Sequence, residues 1–304
     1  MRAGAKHFGR WATGTGARIA MVLVVLVVTA CSGPVEVDTE ARGQVDDEAP
    51  GSEPPAPPPT SATTTTTTAP PPPTTQPPAP VPAVGAVPPQ GLGPGARSPQ
   101  VKVLEDLLAA QKYGVHTIDD AYDQNTADAV VAFQKAAGLP RTGRATQDVA
   151  DALTTSHPPD PLVPGGGATR VEIDLPRQIL LLYQNDALLR VLPVSTGSGK
   201  RFCDRGRCRT AATPPGSFRV GYRIPGWRKS PLGRMYKPVY YMVGIGVAIH
   251  GYHQVPTEPA SHGCVRIPMA SADWFSDQVP DGTPVYVLDG RTPPGPPPPE
   301  GTQT

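Results

Sequence analysis

The sequence predicts a mostly β domain, a β-sandwich or mixed sheet, preceded by a small three-helix domain and a long Pro/Thr-rich linker. Three observations lead to this fold class. Residues 31–96 are dominated by proline, threonine and other residues that cannot form a packed core. Apolar residues recur at helical spacing over 97–156. Over 168–290 they alternate with period two, between frequent glycines and prolines.

Residues 1–30 have the pattern of an export signal. Basic residues precede an apolar run, Ile19 to Val28, whose ten residues are too few for a membrane span of about 20 residues. The small residues before Cys31 resemble the lipobox of bacterial lipoproteins, in which this cysteine is acylated and begins the mature chain. An ordinary cleaved secretory signal and an uncleaved anchor are the alternatives. All three place the following domains outside the cytoplasm.

Residues 31–96 are expected to form a disordered linker. In the extended polyproline conformation some fifty residues would reach on the order of 150 Å, at about 3.1 Å per residue. The Pro-rich tail, residues 291–304, is expected to be disordered as well. The formal net charge of +1, from 27 basic and 26 acidic residues, gives no global field that would favour nucleic acid as a partner.

Three short amphipathic helices are predicted over residues 97–156. The first begins at Ser98-Pro99, where serine can cap the helix and the missing N–H of proline costs nothing. The second follows Asn125 and stops at Gly138, and the third follows Thr146. None could bury its apolar stripe alone, so a compact bundle is implied.

This helical segment resembles the small peptidoglycan-binding module found beside many cell-wall hydrolases and transpeptidases. The resemblance is carried by residues such as Val103-Leu104, Phe133-Gln134 and Ala137-Gly138-Leu139. The usual Asp-Gly-x-Phe-Gly element is replaced by residues 119–123, which lack both glycines. The resemblance implies wall binding, and a helical spacer that only packs against its neighbour is the alternative.

Two cysteines, Cys203 and Cys208, bracket a basic loop that contains a glycine. Outside the cytoplasm two cysteines this close in a turn could pair and close a short loop. Half of a zinc site and two free thiols are the alternatives. The chain has no second cysteine pair that would complete a four-thiolate site, so we expect the disulfide.

The chemistry of the β domain is concentrated in residues 249–266, which contain three histidines and one cysteine, with the segments 249–251 and 261–266 at its two ends. A thiol needs a nearby imidazole or another positive influence to become a nucleophile at neutral pH. His262 lies two residues from Cys264, but a base usually comes from a different element. His250 ends an apolar strand, and Gly251 lets the chain turn there, so that this imidazole could face a cleft.

A zinc site and a merely structural role are the alternatives for this cluster. Four residues could hold a tetrahedral zinc: His250, His253, His262 and Cys264. Against zinc, the segment offers no obvious acidic general base, because Glu258 is its one nearby carboxylate and lies in a Pro-flanked loop.

The Ser-His-Gly-Cys-Val-Arg motif at residues 261–266, with His-Gly upstream and Thr213–Phe218 earlier in the chain, resembles the L,D-transpeptidase catalytic domain of the YkuD family. The similarity runs from about Ala168 to Leu288. It implies that Cys264 is the nucleophile and that His250 is the base.

The resemblance also implies roles for the neighbouring residues. The carbonyl of Gly251 would orient the base, and the backbone N–H groups of Gly263 and Cys264 would stabilise the oxyanion. Ser261 and His262 would support the site. Arg266 occupies a position that is Asn or Arg in the family and is expected to contact substrate.

A basic, tyrosine-containing segment from Gly226 to Tyr241 is expected to form a flap over the site. Its arginines and lysines could meet the carboxylates of a stem peptide, while Tyr236 or Tyr240 could line the pocket. A solvated basic loop is the alternative reading of this segment.

The resemblance therefore implies a lipid-anchored, extracytoplasmic L,D-transpeptidase that needs no metal or organic cofactor. Its partners would be the membrane and two peptidoglycan stem peptides, a donor tetrapeptide and an acceptor amine. Loss of D-alanine from the donor and attack by the acceptor would form a 3→3 cross-link. Attack by water or another amine, and a degenerate wall-binding lipoprotein, are the alternatives.

Overall fold

The computed structural model describes residues 83–204, 206–291, 294–299 and 301. A helical region precedes a mostly β domain with mixed sheets, which confirms the predicted fold class. The helices are α1 Pro99–Ala110, α2 Gln124–Ala137, α3 Gln147–Thr155 and α4 Met269–Gln278. The strands are β1 Arg170–Asp174, β2 Ile179–Gln184, β3 Ala187–Pro193, β4 Arg201–Asp204, β5 Arg207–Thr210, β6 Gly216–Arg219, β7 Tyr222–Arg223, β8 Trp227–Ser230, β9 Gly233–Met242, β10 Val247–Tyr252, β11 Val265–Pro268 and β12 Pro284–Leu288.

The helical region starts earlier than the boundary expected at residue 97. Val84 and Leu92 are buried in the same core as α1, α2 and α3. Leu92 and Ala145 exchange two backbone hydrogen bonds, each 2.9 Å long. Residues 83–96 therefore belong to the helical module and not to the linker, because their few apolar side chains find a partner surface that local composition could not reveal. The export signal, Cys31 and the rest of the linker lie outside the described residues.

The ends of α2 follow from local chemistry. Asp123 accepts a 2.9 Å hydrogen bond from the Thr126 N–H, which satisfies one of the free donors at the helix start. Gly138 closes the helix in the left-handed conformation, at φ 69°, as its position in the sequence predicts.

The first sheet of the β domain has the order β3-β2-β1-β12-β6, in which only the β1–β12 pair is parallel. The interior strand β2, second from one edge, is buried on both faces. Leu180 and Leu182 enter the core between the two sheets, whereas Ile179, Leu181 and Tyr183 join the core of the helical module. This two-sided burial explains why the apolar run at β2 does not alternate with polar residues.

The second sheet has the order β11-β10-β9-β7, and β8 pairs with the outer part of β9. The two sheets pack over a common core that includes Val171, Leu182, Ile249 and Val265. Within this sheet β10 and β11 are parallel neighbours, with Ile249 opposite Val265 and His250 opposite Arg266. This pairing brings the two chemistry-bearing segments of the sequence side by side.

A separate two-stranded hairpin, β4–β5, projects from the β domain. Cys203 lies opposite Cys208 in its ladder, and their sulfur atoms form a disulfide with an S–S distance of 2.02 Å.

Part of the C-terminal tail, which was expected to be disordered, lies against β6. The hydroxyl of Ser217 on β6 donates to the carbonyl of Gly295 in the described segment 294–299. Among the residues that the structure describes, no helix is long and apolar enough to cross a bilayer.

Candidate active site

Cys264 and His250 lie on the same face of the second sheet. Cys264 directly precedes β11, and side chains alternate between the two faces of a strand, so its side chain shares a face with Arg266. His250 is the register partner of Arg266 on β10 and shares that face as well. The thiol packs beside Met235, Tyr240 and Ala248, on the side of the sheet opposite the main core. The nucleophile and base implied by the resemblance thus lie on one face of the sheet, His250 on β10 and Cys264 at the start of the neighbouring strand β11.

The His250 ring is buried and fixed in orientation. Its Nδ1 lies 2.9 Å from the Gly251 carbonyl oxygen. Since a carbonyl can only accept, Nδ1 carries the proton and Nε2 presents its lone pair. Burial lowers the pKa of His250 to about 4, and the positive charge of Arg266 adds to this lowering. The ring is therefore neutral near pH 7.

The Cys264 thiol is free and partly exposed. Burial raises the pKa of the Cys264 thiol, while the hydrogen bond to the Ala248 backbone and the positive charge of Arg266 lower this pKa by a smaller amount. Desolvation thus disfavours both the thiolate and the imidazolium. Both shifts favour a neutral thiol and a neutral imidazole over a preformed ion pair.

Ser261 stabilises the turn formed by residues 261–264. Its hydroxyl donates to the Cys264 carbonyl over 2.5 Å and accepts from the Gly263 N–H over 3.0 Å. The Gly263 N–H thus has a partner within this turn in the unliganded protein, and its oxyanion role stays a prediction. Gly263 itself is required by its φ of 142° and by the nearby Ala212 carbonyl, which would lie 2.9 Å from an added Cβ.

Thr213 is a site residue that the candidate set does not include. Its hydroxyl donates to the Gly263 carbonyl over 2.7 Å and accepts from the Gly197 N–H over 2.9 Å. The Thr213–Phe218 motif contained it, but a threonine before two prolines gives no local sign of a hydrogen bond to a residue 50 positions away.

The other imidazoles face aromatic rings. His262 is exposed and meets Phe202 at a centroid distance of 4.7 Å, while His253 lies 5.6 Å from Trp227. Among the described residues, no group of three or more His, Cys, Asp or Glu side chains is placed to hold a metal ion. The zinc alternative therefore finds no converging set of ligands in this part of the chain.

The predicted flap is the β8–β9 hairpin, and its two tyrosines differ in their contacts. Tyr240 is buried, stacks on Tyr222 at 4.5 Å and packs in the cluster that contains Cys264. The Tyr236 hydroxyl donates to Asp273 of α4 over 2.6 Å, so it is engaged within the protein. Arg266 lies over the Tyr252 ring at 4.2 Å and donates to the Ala260 carbonyl over 3.3 Å.

Comparison with known proteins agrees with this geometry. Residues 168–287 match the model of the L,D-transpeptidase catalytic domain (YkuD), and residues 97–153 match that of a peptidoglycan binding domain. The L,D-transpeptidase structure from Xylanimonas cellulosilytica DSM 15894 is 36% identical and has a TM-score of 0.61; the match covers 70% of this chain and 100% of that one. The L,D-transpeptidase structure from Stackebrandtia nassauensis is 23% identical and has a TM-score of 0.41; the match covers 68% of this chain and 98% of that one. Comparison with curated proteins gives no match.

Proposed function

The chain belongs to the L,D-transpeptidase family, and on that premise we propose that it cross-links peptidoglycan stems through a thioester on Cys264. The site residues keep the roles that the resemblance implies, with Cys264 as nucleophile and His250 as general base. The oxyanion is assigned to the backbone N–H groups of Gly263 and Cys264, and the Gly263 N–H would exchange the Ser261 hydroxyl for the oxyanion as substrate binds.

The single observation that carries this proposal is the fixed tautomer of His250 on the sheet face that also carries the Cys264 side chain. A base must present a lone pair towards the proton it removes, and the Gly251 carbonyl leaves Nε2 as the accepting atom. The parallel register of β10 and β11 supports the pairing, because it puts the ring and the thiol on one face. A burial-lowered His250 pKa keeps this lone pair available near pH 7.

In the first half of the reaction, Nε2 of His250 takes the proton of the Cys264 thiol while the sulfur attacks the carbonyl of the third residue of a tetrapeptide stem. The carbon–sulfur bond forms as the carbonyl electrons move to oxygen. The carbonyl then re-forms and the bond to D-alanine breaks, with the imidazolium returning its proton to the leaving amine. The thioester remains on Cys264 and the base is neutral again.

In the second half, the side-chain amine of the third-position diamino acid of another stem attacks the thioester. Nε2 of His250 takes a proton from this amine, the new amide forms and the thiolate leaves. Return of the proton from the imidazolium restores the thiol. The product is a 3→3 cross-link, and neither a metal nor an organic cofactor enters any step.

Cys264→Ala tests the nucleophile. We expect no D-alanine release and no cross-linked product from tetrapeptide muropeptides, with the circular dichroism spectrum and thermal unfolding of the wild type retained, because the alanine leaves the strand pairing intact. Mass spectrometry should find the acyl adduct on Cys264 of the wild type. Measurable D-alanine release by the variant would exclude this cysteine as the nucleophile.

Product analysis of purified muropeptides identifies the acceptor. A dimer linked between two third-position residues is the expected product. Tripeptide alone would identify water as the acceptor, and a stem ending in a new D-amino acid would identify amine exchange. Each result follows from the same thioester, since only the second nucleophile differs.

Peptidoglycan-acting domains indicate the cell wall as the place of action. We assign the mature protein to the extracytoplasmic face of the membrane, anchored by a lipid on Cys31, which lies outside the described residues. The helical module would hold the enzyme at the wall. The loss of both glycines at residues 119–123 leaves this binding to other parts of the module.

A further inference from the structure

The β4–β5 hairpin presents an excess of positive charge. Lys200, Arg201, Arg207 and Arg209 are exposed on it, against one described acidic residue, Asp204. None of these four cationic side chains forms an ion pair with another residue that the structure describes. Surfaces usually mix both signs of charge, and a solvated cation close to a reactive site is available to an anionic ligand.

The hairpin is fixed against the catalytic motif. The Phe202 ring packs on His262, two residues before Cys264, at a centroid distance of 4.7 Å. At the base of the hairpin, Ser198 donates from its N–H to the Ser261 carbonyl over 2.9 Å. These contacts hold the hairpin at the His262 end of the motif.

The strand register decides which cations face the site. Phe202 lies opposite Arg209, so these two side chains share a face, and Arg209 lies over the Phe202 ring at 5.1 Å. Arg201 and Cys203 alternate with Phe202 and point to the other face. Arg207 shares the face of Phe202 but lies opposite Asp204, nearer the hairpin turn and farther from Phe202 along the strands. Arg209 is therefore the cation of this hairpin that is best placed beside His262.

The hairpin is held in shape before any ligand arrives. Each of its strands has four residues, and the side chains of β5 are all exposed, so burial contributes little to its order. The Cys203–Cys208 disulfide reduces the number of conformations that the hairpin segment can adopt when it is not folded. A restricted loop loses less entropy on binding a ligand.

The flap approaches the thiol from a different side. Met235 and Tyr240 of β9 pack in the cluster that contains Cys264, whereas the β4–β5 hairpin contacts His262. Two stem peptides must meet at one sulfur in the proposed reaction, and each carries free carboxylates. Guanidinium groups bind carboxylates with two parallel hydrogen bonds.

From this arrangement we infer that the β4–β5 hairpin is a binding surface for a free carboxylate of a stem peptide, and that Arg209 makes the contact. This inference rests on the proposed function, because the ligand is one of its two substrates. The hairpin would then contact substrate beside His262, whereas residues of the flap pack beside Cys264.

The test measures binding without turnover. In the full chain carrying Cys264→Ala, a soluble tetrapeptide stem is titrated into the parent, Arg209→Gln and Arg201→Gln. We expect about tenfold weaker binding for Arg209→Gln, as for the loss of one charge-assisted hydrogen bond. Arg201→Gln is the matched control on the opposite face and should bind within about twofold of the parent. Amidation of the peptide carboxylates should remove the difference between the two variants.

Equal affinities for Arg209→Gln and Arg201→Gln, or a difference that survives amidation, would overturn the inference. In the chain that retains Cys264, a higher KM for D-alanine release by Arg209→Gln identifies the donor carboxylate as the ligand. Unchanged D-alanine release with a smaller fraction of cross-linked dimer identifies the acceptor. Absence of D-alanine release by the wild type would refute the proposed function, while the binding comparison would still decide the inference.

Discussion

His250 and Cys264 share a setting that disfavours the charged form of each. The His250 pKa is lowered to about 4 and the Cys264 pKa is raised, in both groups chiefly by burial. In many cysteine enzymes a depressed thiol pKa prepares the nucleophile before substrate binds. Here both groups favour their neutral forms, so in the proposed reaction the Nε2 lone pair of His250 removes the proton as the sulfur attacks.

The acid limb of the activity profile should therefore lie near pH 4 instead of near the ordinary histidine value of 6.5. The active base is the neutral ring, so kcat/KM for D-alanine release should increase as the pH rises through about 4 and stay level between pH 5 and 7. Initial rates across buffers of constant ionic strength measure this. Near-UV circular dichroism at each pH separates loss of fold from protonation, and a limb at 6–7 with intact fold would contradict the buried, neutral base.

At the scale of elements, β2 contributes to two cores, because its two faces pack against different parts of the protein. Leu182 packs between the two sheets, and Leu181 packs against the helical module. Both side chains are fully buried. If the β domain stood alone, the Leu181 face of the sheet would be open to water.

Leu181→Ala should therefore destabilise the whole chain by about 2–5 kcal/mol, as for a leucine in a closed core. Leu182→Ala should cost a similar amount. Ile245→Ala is the control at an exposed apolar position, 63% accessible, and should change the free energy of unfolding by no more than about 0.5 kcal/mol. Urea unfolding measures all three. A Leu181→Ala cost as small as that of Ile245→Ala would show that the helices do not cover this sheet face in solution.

In the molecule as a whole, a buried lysine joins the helical module to the β domain. Lys135 of α2 is 1% exposed, and its Nζ donates to the Val194 carbonyl over 2.7 Å. The next residue, Ser195, exchanges two 3.1 Å backbone hydrogen bonds with Arg266. Arg141 adds a second link, an ion pair of 3.0 Å with Glu258 in the loop before Ser261. The helical module thus supports the segments that flank the catalytic motif.

Lys135→Met should remove a pH dependence of stability. Burial, with the Arg141 charge, lowers the folded-state pKa of Lys135 to about 7 from an ordinary 10.5. Between these values the unfolded chain binds one more proton, so this lysine makes stability rise with pH by up to about 1.4 kcal/mol per unit. Its contribution is least favourable below pH 7, where methionine, which carries no buried charge, should make the protein equally or more stable than the wild type.

Thermal and urea unfolding from pH 6 to 9.5 measure the free energy of unfolding of Lys135→Met minus that of the wild type, and this signed difference should fall as the pH rises. Lys102→Met is the matched control, because Lys102 is exposed on α1 and pairs with Asp106. Its difference from the wild type should stay constant over this range. A constant difference for Lys135→Met as well would mean that the amine keeps an ordinary pKa and is not buried between the modules.

The sequence predicted the elements wherever the signal is local. The Ser98-Pro99 start of α1, the Gly138 stop of α2 and the alternating strands of the β domain follow from residues within a few positions of each other. From the sequence, the helical module was expected to begin at residue 97, whereas in the structure its core already includes Val84 and Leu92. Val84 and Leu92 are single apolar residues among prolines and glycines, and their burial depends on helices that come later in the chain.

By itself the sequence determined the family and the fold class and predicted the residues of the site, because the Ser-His-Gly-Cys motif and the strand periodicity are short-range patterns. Tertiary structure decided which of these residues meet. Parallel pairing of β10 with β11 puts His250 on the face of Cys264, while His262, nearer in sequence, packs on Phe202. Tertiary structure also decided that the Gly263 N–H donates to the Ser261 hydroxyl and that one face of β2 packs against the helices. Such pairings depend on how apolar surface is buried across the whole core, and no local spacing specifies that.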